Sequence, residues 1–373
     1  MIQDTVTIVL PTYKEVDSLP SLIDSIEQMR TESIPNLQLI IVDDDSRDGT
    51  VECILQLNKN WIELCTRTEE KGLSSAVLYG LSRCKSKYCV VMDADGSHPP
   101  SVIPSMITAI EDGADFVVGS RYISGGSTQD GWGVLRWVNS KVATIMARPF
   151  TKVKDPMSGF LCFKRDTYLG ADTLNPIGYK IGLELIVKCG CKNVVEVPIH
   201  FRTRKFGESK LTLKVQWEYF HHVLRLVRYT HPKIVSFCSF ATVGLSGTLL
   251  YVLLLLLADQ VFASKSIAIL SAIWLTMTWN FYWDRKLAFW NARSRSIPVQ
   301  YLGFIAVCAI PVLVNFYLTY TTSESLDKEY GSIQGYSGSL HIAGLIGSVA
   351  GSAVGLIFNF IMSRFLVFGK RSS

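Results

Sequence analysis

Residues Ile234 to Leu257 form 24 consecutive positions without a charged side chain. A helix rises about 1.5 Å per residue, so a run of this length crosses the roughly 30 Å hydrocarbon core of a bilayer. Nothing else in the chain restricts its folding so tightly. Three further stretches, Ser266 to Trp283, about Tyr301 to Tyr320 and about Ile342 to Met362, are also largely apolar. Asp284 to Arg295 carries four Lys or Arg, and Lys370-Arg371 lie at the end. Ala258 to Lys265 and Thr321 to Gly338 carry one Lys each. This excess of cations on one side predicts four spans with both ends in the cytosol. Gly347, Gly351 and Gly355 are spaced by four and make a small-residue face for close helix packing.

Before Lys233 charged residues are dense, so the mean hydropathy of +0.25 averages a polar part and an apolar one. A length of 373 residues allows two or three domains. The expected division is an α/β domain over residues 1–210, an interfacial amphipathic helix over 211–232, and a four-helix transmembrane domain over 233–373. Nine cysteines without a C-x-x-C pair predict scattered reduced thiols. Met1-Ile2-Gln3-Asp4 lacks the regions of a signal peptide. The net charge of +5 suits phosphate ligands or an anionic membrane surface and gives no case for a nucleic-acid partner.

In the first part, β-rich runs alternate with helical ones. Strands are expected at Val6 to Leu10, ended by Pro11, and at Leu37 to Val42, Ile62 to Thr66, Cys89 to Met92 and Phe116 to Gly119. Helices are expected at Ser18 to Met29, after an N-cap at Thr50, up to Arg83, and from about Pro100 to Glu111. This alternation predicts a mostly parallel sheet with helices on both faces. Ligands bind such sheets outside the carboxyl ends of the strands. Pro11 to Glu15, Asp43 to Asp45, Asp93 to Asp95 and Ser120-Arg121 are all strand ends, so they converge on one rim. Asp93 and Asp95 bring two carboxylates one residue apart. Such oxygen ligands suit Mg²⁺ or Mn²⁺ completed by substrate phosphates; the plain alternative is a solvated acidic turn. No G-x-G-x-x-G follows the first strand and no P-loop is present. That favours a nucleotide-sugar enzyme over an NAD enzyme or an ATPase.

Seven motifs then occur in order: P-T-Y-K-E (Pro11 to Glu15), V-D-D-D-S (Val42 to Ser46), K-G-L-S-S-A-V (Lys71 to Val77), M-D-A-D (Met92 to Asp95), G-S-R-Y (Gly119 to Tyr122), D-P-M-S-G-F (Asp155 to Phe160) and G-E-S-K-L (Gly207 to Leu211). Together, over about residues 5 to 230, the chain resembles the dolichyl-phosphate mannosyltransferases, inverting family 2 glycosyltransferases of the GT-A (Rossmann-like) fold. The resemblance implies that Pro11, Tyr13, Glu15, Val42 and Asp44 hold the donor's base and ribose. It places Asp93, Ala94 and Asp95 at the metal and diphosphate. Part of the family has a metal-ligating Gln where this chain has Ser97, a weaker ligand. Arg121, Lys180, Arg204 and Lys210 match basic positions around the diphosphate and the acceptor phosphate.

Trp132, Leu135, Val138, Val142, Ile145 and Met146 recur at helical spacing, and Arg136 and Ser140 share a face. By the resemblance those two hold the phosphate of the lipid acceptor, against the plain reading of a surface helix with an incidental Arg. A processive synthase would carry Q-x-x-R-W on a late helix; here Gly133-Val134-Leu135-Arg136-Trp137 precedes D-P-M-S-G-F and lacks the Gln. Leu213, Trp217, Phe220, Leu224 and Val227, with Lys214, Arg225 and Arg228 nearby, suit a helix lying in the membrane interface. His221-His222 has no further ligand at metal spacing. The apolar part resembles, through Val243-Gly244-Leu245-Ser246-Gly247 and Asn280-Phe281-Tyr282-Trp283, the four-helix domain found with lipid-linked sugar transferases.

The expectation is a membrane-bound, Mg²⁺- or Mn²⁺-dependent transfer of mannose from GDP-mannose to dolichyl or another polyprenyl phosphate. The catalytic part would sit on the cytosolic face of a prokaryotic plasma membrane or of the endoplasmic reticulum. Asp95, Arg121, Arg136, Ser140 and Arg204 would carry the chemistry. One alternative uses UDP-glucose as donor; another is a non-catalytic component of a lipid-carrier flippase.

Overall fold

In the computed structural model, which describes residues 1–128, 134–178, 180–201, 213–261, 265–290, 296–310 and 355–369, the first strand is buried at every position. This strand, β1 (Val6–Thr12), is the hub of a seven-stranded sheet. It pairs in parallel with β2 (Leu37–Asp43) on one side and β4 (Tyr88–Val91) on the other. β3 (Ile62–Thr66) extends the β2 edge. Beyond β4 come β7 (Leu161–Lys164), β5 (Phe116–Ser120) and β8 (Val194–Pro198). β7 runs antiparallel to both of its neighbours, so the sheet is mostly parallel, as expected, with one reversed strand. Short strands β6 (Ser127–Thr128) and β9 (His200–Phe201) pair separately.

Alternation along β1 fills two cores. Val6, Ile8 and Leu10 pack with α1 (Leu19–Glu32) and α4 (Ile103–Glu111), which a 3₁₀ turn at Pro100–Val102 precedes. Val9 packs with α3 (Leu73–Arg83) and α7 (Ile181–Lys188) on the opposite face. The remaining helices of this unit, Met1–Tyr229, are α2 (Thr50–Leu57), α5 (Val134–Ala147), α6 (Arg165–Leu169) and most of α8 (Leu213–Thr230).

Two local expectations are corrected. β1 continues through Pro11 to Thr12 because β4 leaves the ladder at Val91, opposite Val9. Met92 N donates to Val9 O and Asp44 N to Thr12 O, so odd positions of β1 face β4 and even ones face β2. Pro11, which lacks an N–H, therefore faces a side where β4 has already left. At α2 the cap is Gly49, and Thr50 is the first helical residue. Asp48 Oδ1 accepts from both Thr50 N (3.1 Å) and Thr50 Oγ1 (2.7 Å), doing the capping work expected of Thr50.

The second unit is Thr230–Ser373. Its α9 (Pro232–Val261) contains the described stretch long and apolar enough to cross a membrane, Pro232–Leu254. α10 (Lys265–Trp283), α11 (Ile297–Ile310) and α12 (Gly355–Val367) follow. Much of the expected spans at 301–320 and 342–362, and the glycines at 347 and 351, lie outside the described residues.

This unit is built from a repeat that was not foreseen. Asn280-Phe281-Tyr282-Trp283-Asp284-Arg285-Lys286-Leu287-Ala288-Phe289 and Asn359-Phe360-Ile361-Met362-Ser363-Arg364-Phe365-Leu366-Val367-Phe368 share Asn, Phe, Arg, Leu and Phe at matching places. Both close in a five-residue π turn, Asp284–Ala288 and Ser363–Val367. Each turn is sealed by the same bond: Phe289 N donates to Asp284 O and Phe368 N to Ser363 O, both at 2.8 Å. The rings pair reciprocally across the repeats. Phe289 stacks on Phe368 at 4.5 Å, while Phe281–Phe368 and its counterpart Phe360–Phe289 are stacked at 6.1 and 5.9 Å. That reciprocity is what a twofold relation between the two repeated segments produces.

Gly80 tests the packing of α3 on the sheet. A methyl there would overlap Val9 Cγ1 and lie 3.2 Å from Val42 Cγ2. Alanine gains about 1 kcal/mol of helix propensity, but overpacking costs about 1–3 kcal/mol, so steric strain wins. Gly80→Ala should lower the thermal midpoint of the full chain in detergent; an unchanged or raised midpoint would contradict this packing.

Candidate functional site

The ends of β1, β2, β4 and β5 open into a cavity of about 950 Å³. Pro11, Tyr13, Glu15, Asp44, Asp93, Ala94, Asp95, Arg121, Ser140 and Lys180 all line it. Ten positions singled out from sequence, drawn from strand ends, loops and a helix far apart in the chain, are thus brought together. Arg136 lies on α5, one turn before Ser140, by its backbone position. Arg204 and Lys210 lie outside the described residues.

After β4 the chain turns back on itself, and side chains fix the turn. Ser18, at the start of α1, donates its hydroxyl to Ala94 O at 2.8 Å, tying the loop after β1 to the acidic turn. Asp95 is buried, and its Oδ1 accepts from Ser97 N at 3.0 Å and from Ser97 Oγ. This corrects the expectation of an oxygen ligand at Ser97: its side chain is fully buried behind Asp95 and does not line the cavity. The serine orients the second carboxylate. Asp93 is the more open of the two. Among the described residues no group of three or more His, Cys, Asp or Glu could hold a metal. Asp93 and Asp95 alone offer two hard oxygen ligands, leaving other positions to water and phosphate. That donor set fits Mg²⁺ or Mn²⁺, which are seldom caged by protein alone.

Arg121 is held from behind. Its Nε and Nη2 donate to Asp155 Oδ2 and Oδ1, each at 2.7 Å, and its backbone N donates to Oδ2 at 3.1 Å. Asp155 is fully buried, and its own N donates to Glu196 Oε1 at 3.0 Å. Burial opposes the charge on Arg121, yet the Asp155 bonds hold its pKa above the usual value. The same D-P-M-S-G-F turn shapes the acidic site. A Cβ on Gly159 would lie 3.0 Å from Asp93 Oδ1, so any other residue would press on that carboxylate and shift it by a few tenths of an ångström. Tyr122 OH and Ser140 Oγ are 2.9 Å apart, and Lys180 Nζ donates to Met157 O at 3.1 Å. By residue type alone, Asp155 within that motif shows no role.

Asp44 is also pre-engaged. Arg67, missed from sequence, donates to Asp44 Oδ1 through Nε at 2.8 Å and through Nη2, while Gly72 N donates to Oδ2 at 2.7 Å. These fill about three of the four acceptor positions of a carboxylate, and Asp44 still lines the cavity. Arg67 directly follows β3, and its place at a fifth strand end is the signal that could have revealed it. Val42 departs from expectation: it is fully buried with Ile40, Cys65 and Ala76, and only Ala76 of that cluster reaches the cavity. Tyr13, its ring approached by Lys14 Nζ and Lys71 Nζ at 5.4 and 5.9 Å, remains half-exposed on the rim.

One further wall is helical. Val142, Ala143 and Met146 of α5, Ile181 of α7, and Val215 and Tyr219 of α8 give the cavity an apolar side. α8 is fastened through buried Glu184 of α7. Glu184 Oε1 accepts from Lys188 Nζ (2.6 Å) and Asn175 N (2.7 Å), and Oε2 from Arg225 Nη2 (3.3 Å). His222 is buried 3.7 Å from Oε2; Ile177 N donates to its Nδ1 at 3.4 Å, and its Nε2 has no partner among the described residues.

Residues 7–169 match glycosyl transferase family 2, and residues 239–368 match the GtrA/DPMS transmembrane domain. The dolichol-phosphate mannosyltransferase of Pyrococcus furiosus is 38% identical over 316 residues, 83% of this chain and 88% of that protein. The chain belongs to the dolichol-phosphate mannosyltransferase family. The Saccharomyces cerevisiae dolichol-phosphate mannosyltransferase is 35% identical, covering 63% of this chain and 92% of its own length. The polyprenol monophosphomannose synthase of Mycolicibacterium smegmatis is 32% identical, covering 55% and 80%. As a member of this family the chain is a glycosyltransferase with the GT-A fold, joined to a membrane domain.

Two outcomes follow from this geometry. Asp155→Asn keeps the shape but leaves the buried Arg121 guanidinium without its anion, which should cost about 3 kcal/mol in thermal or denaturant unfolding. Burial pushes His222 down to about 4, against the pull of Glu184 and with Arg225 and Lys188 adding to the fall. Its folded pKa lies below the ordinary value near 6.5, so neutral His222 stabilises fully above that pH. The contribution, at most about 3 kcal/mol, is lost as pH falls from about 6.5 to about 4. Thermal midpoints of His222→Asn, which keeps an acceptor for Ile177 N, should show a shallower acid decline than the parent chain.

Proposed function

We infer that this chain transfers mannose from GDP-mannose to dolichyl or another polyprenyl phosphate, inverting the anomeric configuration. The observation that carries this reading is a single cavity holding both kinds of wall. Asp93, Asp95 and the braced Arg121 suit charged phosphates, while apolar side chains of α5, α7 and α8 suit a lipid. The names of the relatives favour mannose.

The acceptor phosphate is anionic at neutral pH, so it needs no general base. Its oxygen forms the new bond to the anomeric carbon on the face opposite the breaking bond, and GDP departs with that electron pair. Catalysis then rests on positioning and on charges fixed in advance. Arg121, immobilised by Asp155, meets negative charge without reorganising. Ser140, with Arg136 a turn earlier, holds the acceptor phosphate, and Asp44 takes a ribose hydroxyl. Pro11, Tyr13 and Glu15 frame the base, with Lys180, Arg204 and Lys210 completing the cationic side. A Mg²⁺ or Mn²⁺ held by Asp93 and Asp95 would supply positive charge at the leaving diphosphate.

For the whole chain we place catalysis in residues 1–210, an interfacial helix in 211–232 and four membrane spans in 233–373. The repeated ending supports that count, since equivalent turns at Asp284–Ala288 and Ser363–Val367 suit one face. Arg285 and Arg364, equivalent in the repeat, then mark the cytosolic side.

Asp95→Asn is the discriminating variant, because its Oδ1 can still accept from Ser97. In membranes carrying the full chain, radiolabel from GDP-mannose should enter the lipid phase with polyprenyl phosphate and Mn²⁺. The variant should lose at least about 100-fold of this transfer with little change in thermal midpoint. EDTA should abolish transfer. Label entering from UDP-glucose alone would reassign the donor, and label from neither donor would overturn the reading.

A further inference from the structure

His98 follows the acidic turn and belongs to none of the roles assigned so far. Its side chain is 2% exposed, yet it lines the cavity along with Asp93 and Arg121. Three contacts fix its ring. It stacks on Phe160 at 5.1 Å with an interplanar angle of 16°, and meets Phe201 edge-on at 5.5 Å. Asp93 N donates to its Nδ1 at 3.0 Å. With Nδ1 accepting, the proton of the neutral ring is on Nε2, and Nε2 lies 3.9 Å from Asp93 Oδ2. One imidazole therefore holds the backbone of Asp93 and stands beside its carboxylate. Gly159 closes on Oδ1 of the same carboxylate.

We propose that His98 is the positioning residue for Asp93: it sets that carboxylate for the divalent cation and diphosphate without being a ligand itself. The ring cannot serve both purposes at Nδ1, which Asp93 N already occupies. Its plane is dictated by Phe160, a residue of the same D-P-M-S-G-F turn that braces Arg121 through Asp155. That turn would then set both the cationic and the anionic side of the site. The role rests on the transferase reading above.

Two variants of the full chain separate positioning from mere filling. His98→Phe keeps the ring and its stacking on Phe160 but has no nitrogen. His98→Asn gives up ring volume and keeps an acceptor near the place of Nδ1. Mn²⁺ binding, followed by electron paramagnetic resonance with GDP present, is the primary readout, with transfer kinetics second. Loss of an outer partner of a metal-binding carboxylate typically weakens metal affinity by about 10- to 100-fold. His98→Phe should show that loss, with a raised KM for Mn²⁺ and a thermal midpoint within a few degrees of the parent. His98→Asn should recover most of the affinity despite its poorer packing. Parental Mn²⁺ affinity in His98→Phe overturns the proposal. So does His98→Asn binding Mn²⁺ as weakly as His98→Phe, which would make the ring a ligand or a filler. If the parent chain binds neither Mn²⁺·GDP nor Mn²⁺·UDP, the transferase reading fails instead.

Discussion

The buried fork between Arg121 and Asp155 is the contact on which the site depends. A guanidinium placed in a protein interior is tolerated only where an anion and further hydrogen bonds meet it. Here Asp155 accepts three bonds from one residue, and its own backbone is held by Glu196 of β8. The fork therefore fixes the end of β5 to the turn entering β7, and that turn to β8. Everything the turn then touches is placed by consequence: Ser158 donates to Gly119 O at 2.6 Å, Gly159 closes on Asp93, and Phe160 stacks on His98. Carboxylates just past β4 and a cation just past β5 can face one cavity because the turn leading into the reversed strand between them carries the brace.

A different constraint rules the second unit. Away from water a helix is the simplest way for a chain to satisfy its own backbone, so variety is confined to turns and to side-chain packing. Two segments with the same ending solve the packing once and use it twice. Phenylalanines at equivalent places meet each other across the repeat, and the π turns aim them there. Close approach is bought by glycine: at Gly247 any side chain would overlap the Asn280 carboxamide.

Much of this was legible beforehand, for identifiable reasons. The strands β1, β2 and β4 are nearly continuous apolar runs ending in Pro or Asp, the signature of parallel strands buried on both faces. Their ends share a rim in any such sheet, so Asp44, Asp93 and Asp95 could be grouped without coordinates. β7 and β8 were not legible. Leu161–Lys164 is four residues long, and Val194–Pro198 lies half-buried at an edge, so neither offers a pattern that separates it from a loop. The repeat in the second unit was readable at a spacing of 79 positions, but its shared residues are few and only their ring contacts give them meaning.

By itself the sequence determined the kind of protein: a parallel sheet with an acidic rim, followed by an apolar part too long and too uncharged for a soluble core. Periodicity and the ban on bare charge in hydrocarbon are local rules, and a local rule can be read from neighbours in the chain. Only the tertiary structure decided which polar atoms satisfy one another. That Arg67 occupies Asp44 and that Asp155 holds Arg121 depends on distances between strand ends far apart in sequence, and even the local pairs, Ser97 with Asp95 and His98 with Asp93, depend on how their turn folds and is buried. A carboxylate or a serine reads the same whether it faces a ligand or a neighbour. Burial and hydrogen-bond geometry separate the two, and both exist only once the chain has folded.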